Sequence, residues 1–239
     1  MRMKRVRYRI ADVNVDMDPV GDMPKRMKAY EADWDIPDIT IEENELRLSK
    51  WKSAEDPNLP FYMETGRVFC NKILQYDGMM LHASAVMIED RVYLFSGQCG
   101  IGKSTHAKLY LDSFGDRATI INDDKPILRK IQGTWYAYGT PWCGKDGINR
   151  NAKGLLAGIC FLQRGDTRIA RLTPQESAPK ILMHTQYYQT DKERMKKLLS
   201  LVDQLAKEVP IFEFYNHAQA KDAVVTYSAM NKVSEVKQI

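Results

Sequence analysis

The stretch Gly97-Gln98-Cys99-Gly100-Ile101-Gly102-Lys103-Ser104-Thr105 limits what this chain can fold into more than any other. It follows the apolar run Val92-Tyr93-Leu94-Phe95 and precedes Ala107-Lys108-Leu109-Tyr110-Leu111, which reads as helix. Strand, glycine-rich loop and helix in that order are the setting of a phosphate-binding loop. Glycines let such a loop turn its N–H groups inward, and the first helical turn adds donors that have no partner within the helix. Gly97, Gly100, Gly102, Lys103, Ser104 and Thr105 are therefore the candidate nucleotide-binding set. Lys103 supplies a mobile positive charge for the outer phosphates, and the Ser104 hydroxyl a ligand for magnesium. The pattern G-x-x-x-x-G-K-[ST] arises by chance in about one chain in a hundred of this length. A glycine-rich turn before an ordinary helix is the competing reading, and the flanking segments favour nucleotide binding.

The 239 residues, 44% of them hydrophobic, suffice for one substantial core, or one core with a small appendage. A formal charge of +4 from 35 basic and 31 acidic residues suits a protein that handles anions and is only weak support for nucleic-acid binding, so no nucleic acid is expected as a partner. No run approaches the roughly eighteen apolar residues of a membrane span. The basic start, Met1 to Arg7, lacks the apolar segment of a secretory signal. It soon alternates, with Val6, Tyr8 and Ile10 on one side and Arg5, Arg7 and Arg9 on the other, as an edge strand does. Cys70, Cys99, Cys143 and Cys160 show no metal-like spacing and suggest reduced thiols in a cytoplasmic protein, with Cys99 filling space in the loop.

Residues 1–60 read as a β-rich addition and 61–239 as the main phosphate-loop domain. In the first part, Ile39-Thr40-Ile41 and Glu45-Leu46-Arg47-Leu48 predict a hairpin about Glu43-Asn44. This addition either contributes antiparallel strands to the main body or forms a small lobe over it. Apolar spacing predicts a helix from Thr65 to Gln75, then strands over Met80–Ile88 and Arg91–Ser96. A helix from Lys103 to Phe114 closes at Gly115, a favoured C-terminal stop. Strands follow at Ala118–Asn122, Leu155–Leu162 and Ile169–Leu172, with a hairpin turning at Gln132-Gly133. The last third is mainly helical, over Glu176–Tyr188, Asp191–Lys207 and His217–Met230, with one strand at Pro210–Tyr215. The fold class is α/β with a mixed sheet, since hairpins interrupt any regular alternation of strand and helix.

A phosphate loop needs a divalent metal and a carboxylate at a nearby strand end, and Asp123-Asp124 meets that need. Adjacent carboxylates point in different directions, so one can face the metal and the other an acceptor hydroxyl whose proton it takes. The alternative is a solvent-exposed Asp-Asp turn. His82, on its residues alone, is either a site residue or a satisfied core histidine. His106 reads as a helix-surface residue, and His184 and His217 lack partners at metal-like spacing. Trp142 and Lys145, with Asn149, Arg150, Asn151 and Lys153, form a compact basic segment in a Gly/Pro-rich loop. Lys145 or Arg150 either balances charge on a transferring phosphoryl group or belongs to a solvated loop whose tryptophan tucks into the core.

From about Leu81 to Leu172 the chain resembles the kinase domain of HPr kinase/phosphorylase and its short relatives, which share a nucleotide-binding core with phosphoenolpyruvate carboxykinases. The resemblance rests on Leu81-His82-Ala83-Ser84-Ala85, the loop Gly97 to Thr105, and Ile121-Asn122-Asp123-Asp124. Gly139-Thr140-Pro141-Trp142-Cys143-Gly144 and Ile159-Cys160-Phe161-Leu162 followed by Arg164-Gly165 are similar to the short relatives. It implies a twisted mixed sheet of that type and ATP with Mg2+ as cofactors. It also implies His82 near the phosphates, Asp123 as base on the acceptor, and Asp124 holding magnesium with Ser104. The catalytic set is then Asp123, His82, Lys103 and Arg150. The implied activity is transfer of the γ-phosphoryl of ATP to a serine hydroxyl, in a small peptide, a protein or the free amino acid. The resemblance does not reach a separate N-terminal domain or the family's later signature segment. A carboxykinase-like enzyme, a non-catalytic nucleotide-binding accessory protein and a motion-coupled ATPase or GTPase stand as alternatives. A homo-oligomer is left open.

Overall fold

The computed structural model describes residues 6–17, 23–51, 59–188, 191–219 and 221–235. The alternation at the N-terminus becomes a ribbon: β1 (Val6–Ile10) pairs antiparallel with β2 (Val13–Met17) about Ala11-Asp12, both with left-handed backbone. Such a turn matches the twist of paired strands. Tyr8, Ile10, Val13, Val15 and Met17 point inward and Arg7 and Arg9 outward. A short helix, α1 (Met23–Met27), precedes β3 (Ile39–Ile41), which lies parallel beside β2. These three strands form a sheet of their own, so the N-terminal segment is a lobe and not an extension of the main sheet.

The hairpin expected about Glu43-Asn44 is not formed. Glu43–Glu45 is instead a single 3-10 turn in which the Glu45 carboxylate accepts from the Glu42 N–H at 2.9 Å. Reciprocal capping by two glutamates competes with extended backbone, and Lys72 secures the result by bonding Thr40 O and Glu45.

The lobe rests on α2 (Leu59–Lys72), which starts six residues before its expected first residue, Thr65. Val68 and Phe69 of α2 share one apolar cluster with Tyr8, Ile10 and Met17 of the lobe and with Met80, Ile127, Tyr138 and Trp142 beyond. Lobe and main body thus bury a common core.

The main body runs β4 (Gly78–Leu81), β5 (Ala83–Ile88), β6 (Arg91–Ser96), α3 (Lys103–Phe114), β7 (Ala118–Asn122), β8 (Ile127–Ile131), β9 (Thr134–Tyr138) and β10 (Lys153–Arg164). It continues through β11 (Arg168–Arg171), α4 (Pro174–His184), β12 (Thr185–Gln186), α5 (Lys192–Glu208), β13 (Ile211–Asn216) and α6 (Lys221–Glu235). The sheet order is β12-β4-β8-β9-β10-β6-β5-β7, with β13 on β10 and β11 on β13. β10 is parallel to β6 and β13 but antiparallel to β9, so the ten-stranded sheet is mixed. Helices cover both faces. Val92 and Leu94 of β6 join the cluster of α5, while Tyr93 and Phe95 join that of α3 and α6. That two-sided burial is why the run before the glycine loop is continuously apolar.

Two expectations at element ends need correction. The helix expected to reach Tyr188 stops at His184, because Thr185-Gln186 extends to pair with β4. The strand expected over Met80–Ile88 is interrupted at His82. A third correction concerns His106, which lies inside the molecule at 1% exposure. It packs among Phe95, Tyr110 and Phe214, and its Nε2 lies 3.1 Å from Thr226 Oγ1. Spacing along α3 puts 103, 106, 107 and 110 on one face, and that face meets the sheet. No helix among the described residues is long and apolar enough to cross a membrane.

Candidate functional site

β6 delivers the chain to the glycine loop at Ser96. Gly97 takes φ +142° and Gly102, the residue before α3, φ +106°, conformations that side-chain-bearing residues rarely adopt. Lys103 is 8% exposed and folds over the loop, with Nζ 3.1 Å from both Gly97 O and Gln98 O. Burial lowers its pKa. The hydroxyls of Ser104 and Thr105 face outward at the helix start.

The acidic pair leaves the end of β7 in a turn built by Asn122, which is fully buried. Its Oδ1 accepts from the N–H groups of Asp124 (2.9 Å) and Lys125 (2.6 Å). Its Nδ2 donates to Thr140 O (2.9 Å) and Trp142 O (3.1 Å). One side-chain amide therefore fixes both the acidic turn and the neighbouring loop. Trp142 is the tucked-in tryptophan, stacked on Phe69 and donating to Thr65 Oγ1 at 3.2 Å.

The two carboxylates diverge. Asp123 Oδ1 accepts from the Gly144 N–H at 2.6 Å. Burial raises its pKa and the charges of Asp124 and Asp146 add to that, outweighing the Gly144 bond. Asp124 Oδ1 lies 3.2 Å from His82 Nε2, and its Oδ2 2.9 Å from Lys125 Nζ. Burial pushes Asp124 upward, but the His82 hydrogen bond and the Lys125 charge prevail and hold it at about 2. Two adjacent carboxylates are thus pushed in opposite directions by their surroundings, Asp123 up and Asp124 down. His82 is held at the break between β4 and β5, its N–H bonded to His184 O (2.8 Å) and its carbonyl to Ser96 Oγ (2.9 Å).

The structure brings most of the expected residues to one cavity of about 500 Å³. It is lined by Gly100, Gly102, Lys103, Ser104 and Thr105 of the loop and the start of α3, by His82, Asp123 and Asp124, and by Gly144, Lys145 and Asp146. Gly97 lies beneath the loop, where its carbonyl receives Lys103. Arg150 is not brought to the cavity: its side chain is exposed and its N–H bonds Ile121 O at 2.9 Å. A second hollow of about 610 Å³ shares Gly100, Gly102 and Thr105 and is bounded by Arg164, Asn216 and His217.

Sequence reasoning missed the supporting residues. Tyr62 of α2 donates to Cys143 O at 2.8 Å, and Lys125 Nζ donates to the Tyr62 oxygen at 2.8 Å. Arg26 of α1 donates to Cys143 O at 3.2 Å and Sγ at 3.1 Å. Only Asn122 carried a local signal, an Asn opening a turn before two acids. The contacts of Arg26 and Tyr62 span more than eighty residues of sequence.

No protein-family model matches this sequence. No curated protein matches it either. Among solved structures it is similar to the Hpr(Ser) kinase/phosphatase from Coxiella burnetii, at 10% identity over 66% of this chain and 98% of that one, with a TM-score of 0.37. The site's own residues set what it can do: a glycine loop and a lysine share a cavity with two differently tuned carboxylates.

Proposed function

We propose that this chain is a kinase of the HPr-kinase-like phosphate-loop type, transferring the γ-phosphoryl of ATP to a hydroxyl. The acceptor class is a serine of a small peptide or protein, or free serine. The observation that carries this reading is the convergence of the glycine loop, Lys103, Ser104, Asp123 and Asp124 on a single cavity.

The loop amides and Lys103 would hold the phosphates, and Lys103 would leave the two carbonyls it now bonds to do so. Ser104 and Asp124 suit magnesium, since one outward hydroxyl and one ionised carboxylate are the few hard oxygen donors this ion takes from protein beside phosphates and water. When bound, magnesium neutralises charge on the phosphate oxygens. His82 and Lys125 keep Asp124 oriented and ionised. Asp123, the more basic of the pair, orients the acceptor hydroxyl and takes its proton. Lys145, which also lines the cavity, would balance charge on the transferring group. The second hollow shares loop residues with the cavity that holds the acids, so ribose and base would occupy it with the γ-phosphate toward Asp123.

The test is incubation with γ-labelled ATP, magnesium and free serine, HPr or a small serine-containing peptide. Label passes to a hydroxyl in the native protein, and Asp123→Asn removes transfer while sparing ATP binding. Binding without turnover under every acceptor would favour a non-catalytic nucleotide-binding protein.

A further inference from the structure

One peptide group, the one joining Cys143 to Gly144, holds the Asp123 carboxylate. Its N–H donates to Asp123 Oδ1 at 2.6 Å. Its carbonyl, which a trans peptide points the opposite way, receives two donors: the Tyr62 hydroxyl at 2.8 Å and Arg26 Nη1 at 3.2 Å. Arg26 also reaches Cys143 Sγ (3.1 Å) and Gly144 O (3.4 Å), and its guanidinium lies 5.4 Å from the Tyr62 ring centre.

A peptide followed by glycine is the easiest kind to turn over, because glycine tolerates either sign of φ. Turned over, it would present its carbonyl to the Asp123 carboxylate, two acceptors face to face. Neighbouring contacts secure the loop but leave this rotation free. Asn122 holds Trp142 O on one side, and the Gly147 N–H bonds Gly144 O at 3.1 Å on the other.

We infer that Arg26 and Tyr62 are positioning residues that lock the Cys143–Gly144 peptide with its N–H toward Asp123, making the N-terminal lobe part of the site. A cationic donor on the carbonyl also polarises the peptide and strengthens the N–H as a donor. Arg26 comes from the lobe, Tyr62 from the helix beneath it, and Asp123 from the main sheet. A shift of the lobe on α2 is therefore transmitted to the proton acceptor through one rigid plane. Lys125 joins the second acid to the same phenol, bonding both Tyr62 and Asp124.

The catalytic part of this inference rests on the kinase reading; the lock itself does not, and two readouts separate them. The first is the amide signal of Gly144 in full-length protein labelled with 15N-glycine, one of 14 glycines, assigned by its loss in Gly144→Ala. In native protein it should lie far downfield and exchange slowly. In the double variant Arg26→Ala/Tyr62→Phe it should move toward its position in Asp123→Ala and lose protection by about tenfold or more. The second readout is ATP turnover with magnesium. The double variant should lose about 10- to 100-fold in kcat while its Kd for ATP stays within about twofold, and Arg26→Lys, which keeps one donor, should recover part of the loss. An unmoved Gly144 amide would overturn the lock whatever ATP does. A moved amide with native kcat, or a loss confined to ATP affinity, would overturn the positioning role. Native protein that binds no ATP would instead end the kinase reading, and the amide would still decide the lock.

Discussion

Gly144→Ala probes Asp123, the proposed proton acceptor, with a single methyl group. A Cβ at 144 would lie 2.9 Å from Asp123 Oδ2, closer than real Cβ contacts come, and 3.1 Å from both Cγ and Oδ1, tighter than most. Gly144 is not among the positive-φ glycines, so the backbone accepts alanine and the steric contact is the whole perturbation. Asp123 must move away, and the 2.6 Å bond from the Gly144 N–H lengthens or breaks. A hydrogen bond to a charged group contributes about 1.5–3 kcal/mol. Displacement by about 1 Å of a reacting group costs on the order of a hundredfold in rate. A shift of a few tenths of an ångström, with the bond weakened, therefore predicts a fall in kcat of about 10- to 100-fold, or roughly 1.4–2.7 kcal/mol of transition-state stabilisation. The assay is initial-rate transfer from γ-labelled ATP at saturating magnesium, with ATP affinity from equilibrium binding and folding from thermal unfolding. Kd should change by less than about threefold, because the loop amides and Lys103 are untouched. A folded Gly144→Ala protein with native kcat would refute the placement of Asp123 as proton acceptor.

Two further outcomes follow from other parts of the molecule. His106 is buried neutral, its pKa lowered to about 4 from 6.5 by burial, so as pH falls from 6.5 toward 4 the unfolded chain takes the proton first and stability drops. The loss reaches about 3 kcal/mol below pH 4, and denaturant titrations of His106→Phe should lack this component. Arg164→Ala, at the second hollow, should weaken ATP binding by about tenfold and leave inorganic tripolyphosphate unchanged, as isothermal titration would show. Equal losses for both would place the base elsewhere.

How much was legible differs by element. α3 runs from Lys103 to Phe114 and β7 from Ala118 to Asn122, both as the residues predict, because caps, glycines and apolar period act within a few residues of themselves. The β8–β9 turn at Gln132-Gly133 is equally local, with both residues at positive φ. His106 was misread because its polar side chain gives no sign of burial by itself, and it is β6, β13 and α6 that close over it. The Glu43–Glu45 turn was misread because a lysine from α2 decides it. Arg150 sits in a suitable segment, yet its backbone bridge to Ile121 leaves the side chain outside the cavity.

By itself, then, the chain's order of residues determined the loop, the helix that follows it and the acids at the next strand end, since each is set by backbone chemistry between near neighbours. Only the tertiary structure decided that those acids differ, Asp123 raised by burial and Asp124 held down by His82 and Lys125. It alone brought Arg26 and Tyr62 to the peptide that faces Asp123. Charge and hydrogen bonding act through space, over distances that separation along the chain does not measure.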